Sequence, residues 1–154
     1  MKKNIKEEYK EFCRSKDIFF EDIQSIKSYN DTTLFCPAGM QRFKKDFKHE
    51  KGKTIASNQR CLRTDDLKFV GDGIHFAEFN MLGLFSFRDW SVEKTIKFWL
   101  EFLGLLKIKV EEIHIHPERL EWINYCAGIK IVEDIECEWT DGETGGYCIE
   151  FYSN

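Results

Sequence analysis

The 154-residue sequence has no CxxC pair, no internal repeat, no low-complexity tract and no linker-like stretch. Its six cysteines (13, 36, 61, 126, 137 and 148) stand singly along the chain. Disulfide frameworks belong to short secreted chains, so free, buried thiols are expected here. Cys126, Cys137 and Cys148 with His114 and His116 offer zinc-ligand chemistry, but their eleven-residue gaps do not match the close pairs of structural zinc sites. No metal site is therefore expected. No apolar run reaches the roughly 18 residues that cross a bilayer, and the opening "MKKNIKEEYKEF" has no apolar signal-peptide block. These absences lead us to expect a cytoplasmic protein with no membrane partner.

What is present fits a single globular domain over residues 1–154. Apolar residues make up 42% and charged residues 32%, with fourteen phenylalanines and four tryptophans as bulky core material. A chain of this length buries roughly two-thirds of its unfolded surface. The net charge of −4 hides an asymmetry. Residues 42–63 carry eight Lys or Arg against Asp46 and Glu50, a local +6 that leaves −10 for the remainder. A basic segment in an acidic protein points to a local anionic ligand such as a nucleotide phosphate.

Periodicity predicts an amphipathic helix over 3–15, with Ile5, Tyr9 and Phe12 on one face. A short strand is expected in "TTLFC", then a brief helix carrying Phe43 and Phe47. Residues 54–63 and 74–87 read as antiparallel strands around the loop "TDDLKFVGDG". On the second strand His75, Ala77, Phe79 and Met81 fall on one face. Ser91 caps a helix whose buried stripe is expected to be Val92, Ile96, Trp99, Leu100 and Leu103. "VEEIHIH" reads as a strand, Pro117 and Gly128 bracket a further helix, and two strands flank the turn "DGETGG". The fold class is α+β, an antiparallel sheet with flanking helices.

Four ordered stretches carry more than periodicity: "TTLFCPAGMQRFKKDF", "ASNQRCLR", "HFAEFNMLGLFSFRDW" and "CEWTDGETGGYCIEFY". Together they resemble the catalytic domain of the alanyl-tRNA synthetase family, from about Phe12 to Tyr152. The resemblance implies a class II aminoacyl-tRNA synthetase fold that holds ATP, with Mg²⁺, in a bent form. It implies that Arg63 contacts the α-phosphate and that Asp66 belongs to the same catalytic loop. Phe79 would stack on adenine, with His75 and Arg60 beside the nucleotide, and Trp139 and Met81 would border the amino-acid pocket. A core role for Phe79 or Trp139 and an ion-pair role for Arg60 remain open on the residues alone.

The chemistry of those roles is general. Attack of a carboxylate on the α-phosphorus gathers negative charge on the phosphate oxygens. A fixed guanidinium binds them through two parallel hydrogen bonds, and positioning supplies most of the rest. The sequence also departs from the family pattern. Only Thr64 and Asp65 separate Arg63 from Asp66 where the family has a longer insert, and Asn80 replaces a family glutamate. The chain ends at Asn154, before the family's third motif, so a truncated domain lacking the tRNA-binding, editing and C-terminal domains is expected. Two functions follow. One is ATP binding and formation of an aminoacyl-adenylate, from alanine or a similar small amino acid, for tRNA or another acceptor. The other is a non-catalytic paralogue that binds nucleotide, tRNA or a synthetase. A sheet without its last strands would also offer an edge for a homodimer.

Overall fold

The structure, a computed structural model, describes residues 4–29, 33–49, 52–140, 142 and 145–153, excepting the Lys48 side chain. The chain divides into two compact units, Met1–Trp90 and Ser91–Asn154. It is mixed α and β throughout. Among the described residues no helix is long and apolar enough to cross a membrane.

The first unit opens with helix α1 (Ile5–Ser15), which has Glu7 and Glu8 in its first turn and Arg14 in its last. Those charges complement the helix dipole. Its apolar face buries Tyr9, Phe12 and Cys13. A strand absent from the sequence expectation follows, β1 (Phe19–Ile23). It runs parallel to β2 (Lys53–Leu62), and β2 pairs antiparallel with β3 (Glu78–Phe87). The sheet is thus mixed, not wholly antiparallel. The expected strand in "TTLFC" is reduced to one bridge between Lys27 and Phe35. Cys36 is hooked between two partners, donating its N–H to the Ile26 carbonyl and accepting from Leu62 N–H. That path turns the segment across the end of β2 rather than along it.

A 3-10 turn (Gly39–Phe43) and helix α2 (Lys44–His49) cover one face of this sheet. There Phe43, Ile55 and Phe87 form a buried cluster with Phe85 against it. The long expected strand 74–87 starts only at Glu78, because Asp72 accepts hydrogen bonds from the Ile74 and His75 N–H groups and holds them in a turn. Most of the unit's deepest burial is apolar, but Ser57, Asn58 and Gln59 in the middle of β2 are also fully buried.

The second unit begins with α3 (Val92–Leu105), capped by the Ser91 hydroxyl, which accepts from Lys94 N–H at 3.2 Å. Its buried residues are Ile96, Phe98 and Phe102, while Val92 in the first turn is exposed. Strand β4 (Glu112–Ile115) lies between β5 (Lys130–Glu133), parallel to it, and β8 (Ile149–Tyr152), antiparallel. Ile113 and Ile115 sit at the centre of an apolar cluster with Cys126. The helix expected after Pro117 is a 3-10 segment (Pro117–Tyr125), interrupted where Arg119 leaves helical backbone geometry. Strands β6 (Glu138–Thr140) and β7 (Gly145–Tyr147) form the expected hairpin. Asp141, Glu143 and Thr144 of its turn lie outside the described residues.

Candidate functional site

Alternation along β2 sends Ser57, Gln59 and Cys61 to one face of the sheet and Asn58 and Arg60 to the other. Arg63 continues the first series just past the strand end, where its N–H bonds the Ala77 carbonyl at 2.8 Å. Across β3, Phe79 stands opposite Cys61 and Met81 opposite Gln59. Sequence alternation therefore places Arg63, Phe79 and Met81 on one surface, and the contacts agree. The Arg63 guanidinium lies over the Phe79 ring, 5.0 Å from its centroid. Its Nε donates to the Pro37 carbonyl at 3.1 Å. A guanidinium over a ring face gains cation–π attraction while its remaining N–H groups stay free to turn to a ligand.

An open cavity of about 350 Å³ is lined by Arg63 with Thr64, Asp65, Asp66, Pro37 and Leu34 among others. That volume lies at the lower end of small-molecule sites, roughly 300–1,000 Å³. Arg63 and Asp66 share this wall, while Phe79 meets the site through the arginine rather than as a wall of the cavity. The two carboxylates of Asp65 and Asp66 are a donor type that suits a hard cation carried on phosphates.

Beneath the site, the Gly39 N–H points at the Met81 sulfur at 3.3 Å. Met81 is thus engaged with the turn that carries Pro37. Two of the thiols expected to be free and buried flank the arginine, Cys36 next to Pro37 and Cys61 two residues before Arg63, and both are fully buried. The interaction between the two thiols holds Cys36 below its ordinary value and pushes Cys61 above its own, and burial raises Cys61 further. Cys36 is the more acidic partner.

The remaining candidates fall elsewhere. Arg60 pairs with Glu78 on the opposite face, the ion-pair role left open above. Its neighbours there form a polar network: Asn58 donates to Asp22 at 2.7 Å, and Lys6 reaches Asp22 at 3.0 Å. Burial pushes the Asp22 carboxyl up, but the hydrogen bonds from Asn58, Lys6 and Gln24 outweigh it and hold Asp22 below its ordinary value. His75 stays in the loop, bonded to Asp72 and stacked on Phe69 at 5.1 Å. Hydrogen bonds from His75 N–H, the His75 ring and Ile74 N–H lower Asp72 to about 2. Trp139 belongs to β6 of the second unit, facing Gly146 across the hairpin and partly exposed. In the basic segment, Arg63 lines the cavity, whereas Arg42 lies over Tyr29 and near Glu21. Lys51 lies outside the described residues.

A model of the family described as tRNA synthetases class II (A) matches residues 4–127. The chain belongs to this family. Among its relatives is the alanine–tRNA ligase of Rubrobacter xylanophilus, 34% identical over 87% of this chain and 15% of the relative. The ligase of Desulfitobacterium hafniense is 36% identical over 82% of this chain and 16% of its own length. That of Prochlorococcus marinus subsp. pastoris is 31% identical over 96% of this chain and 19% of the relative. This class II chain therefore spans only a small part of the length of the ligases it matches. The match covers the whole first unit from Asn4 onward, so Arg63, Asp66 and Phe79 all lie inside the family's segment.

Proposed function

We propose that the first unit binds ATP, with Arg63 on the α-phosphate and the adenine against Phe79, and supports formation of an aminoacyl-adenylate from alanine or a similar small amino acid. The observation that carries this reading is the Arg63 guanidinium held between the Phe79 ring and the Pro37 carbonyl at the wall of an open cavity. A cation is pre-positioned beside an aromatic face, and ATP offers an anion beside an aromatic base. Asp65 and Asp66 on the same wall fit the Mg²⁺ that accompanies the phosphates, which would neutralise charge on the nucleotide.

In this reading Arg63 swings from the Phe79 ring toward the α-phosphate oxygens and stabilises the charge that builds there as the amino-acid carboxylate attacks. Pyrophosphate leaves as the acyl–phosphate bond forms. Phe79, released from the guanidinium, offers its ring to adenine. Met81 lies two residues further along the same face, toward the amino-acid end of the ligand. The acceptor of the activated amino acid would be tRNA or another nucleophile.

Calorimetry with Mg-ATP, followed by pyrophosphate exchange across the amino acids, tests the proposal. Arg63→Ala should weaken ATP binding by about 10- to 100-fold, the size of charge-assisted hydrogen bonds worth ~1.5–3 kcal/mol. Arg60→Ala, on the opposite face, should leave binding unchanged. ATP affinity insensitive to Arg63→Ala would remove the proposed site. Binding without exchange for any amino acid would remove the catalytic half of the proposal.

A further inference from the structure

The cysteine gaps that argue against zinc along the sequence are closed by the fold. Glu138 and Tyr147 are partners in the β6–β7 hairpin, so the next pair outward is Cys137 and Cys148. The Cys148 N–H bonds the Cys137 carbonyl at 2.9 Å, which fixes the two residues side by side. Glu150 lies two residues beyond Cys148 and so projects from the same face. The two sulfurs and a Glu150 carboxylate oxygen all lie within 4.8 Å of one another.

We propose that Cys137, Cys148 and Glu150 form a binding site for a borderline-soft divalent cation, with zinc as the best match. Two thiolates and a carboxylate are a zinc donor set, and two sulfurs about 3.8 Å apart suit a tetrahedron with ~2.3 Å Zn–S bonds. The present spacing reaches that geometry by small side-chain rotations. Cys137 is fully buried and supplies a fixed anchor, Cys148 is half-buried, and exposed Glu150 forms the entrance. The Tyr152 hydroxyl donates to the second face of the site, bonding Glu150 Oε2 at 2.6 Å. Such an outer hydrogen bond is what orients a ligating carboxylate. It leaves the other carboxylate oxygen for the ion. On binding, two thiol protons pass to solvent, two S–Zn bonds form and no electron is transferred. The fourth position is open to water or an external ligand.

The test uses the full chain, reduced and stripped of metal, titrated with Co²⁺ as a spectroscopic substitute. One equivalent should produce intense thiolate-to-cobalt absorption with tetrahedral ligand-field bands, and one equivalent of Zn²⁺ should bleach it. Cys148→Ser should abolish the signal, and Glu150→Gln should weaken Co²⁺ affinity at least tenfold. Cys36→Ser, which removes one thiol of the other pair, should change nothing. Because Cys137 is buried, the half-exposed Cys148 and the exposed Glu150 carry the test even if Cys137→Ser fails to fold. Absence of the band, or its survival in Cys148→Ser, would overturn the site.

Discussion

The two units bury different things in their sheets. In the second, the centre of β4 is aliphatic, with Ile113 and Ile115 completely enclosed by apolar neighbours. In the first, the centre of β2 is polar, with Ser57, Asn58 and Gln59 equally enclosed. Apolar burial stabilises by roughly 25 cal/mol per Å², whereas a buried polar atom without a partner costs ~1–3 kcal/mol. Among the described residues Ser57 Oγ, Asn58 Oδ1 and Gln59 Oε1 have no hydrogen-bond partner. The second unit's sheet is thus built for stability, while the first carries Ser57 and Gln59 on the face that holds Arg63 and Phe79 and Asn58 on the opposite one.

Chemical denaturation can break or sharpen that contrast. The largest effect is expected from Ile113→Ala, which should destabilise by ~2–5 kcal/mol because the site is enclosed and cannot collapse fully. Gly83→Ala should follow at ~1–3 kcal/mol. A Cβ there would lie 2.7 Å from the Phe85 ring, and that ring is pinned against Phe43 at 4.6 Å. Ser57→Ala should be the smallest, within about 0.5 kcal/mol and toward greater stability, since it removes a hydroxyl with no partner among the described residues. A loss of more than 1 kcal/mol in Ser57→Ala would mean that the polar centre of β2 contributes to stability after all.

Acid titration sharpens the same comparison on the other face of β2. The Asp22 carboxyl is lower in the folded chain than in the unfolded one. The stabilisation it provides is therefore complete above its unfolded value and is lost as pH falls through the folded one. Asp22→Asn should flatten this part of the acid-unfolding curve and leave the neutral-to-alkaline range parallel to the parent. An unchanged acid limb would show that the Asn58–Asp22–Lys6 network is not coupled to folding.

Part of the arrangement around Arg63 was legible in the sequence because strand alternation is a strong local rule. Spacing alone puts Phe79 and Met81 on one face of β3, while Arg63 reaches that face only through the cross-strand pairing and its bond to Ala77. The helix starting at Ser91 was equally plain, since cap and apolar periodicity agree there. What escaped depends on contacts distant in sequence. β1 is a parallel partner of a strand more than thirty residues away, and "FFEDI" has no alternation of its own. Arg60, which the resemblance put beside the nucleotide and the residues alone left equally open as an ion-pair partner, lies an odd three positions from Arg63 and pairs with Glu78 on the opposite side of the sheet. The exposure of Val92 follows from its place in the first turn of α3, which periodicity does not distinguish from the turns that follow.

The resting position of Arg63 sets a condition on what enters. Its guanidinium already occupies the aromatic face. An uncharged base such as adenosine must displace that cation while offering it nothing in return, whereas a phosphorylated ligand gives it a new counter-charge as it leaves. If the proposed nucleotide site holds, charge would act as the key to the stacking surface, and affinity should climb more steeply from adenosine to AMP than one added ionic contact alone would produce.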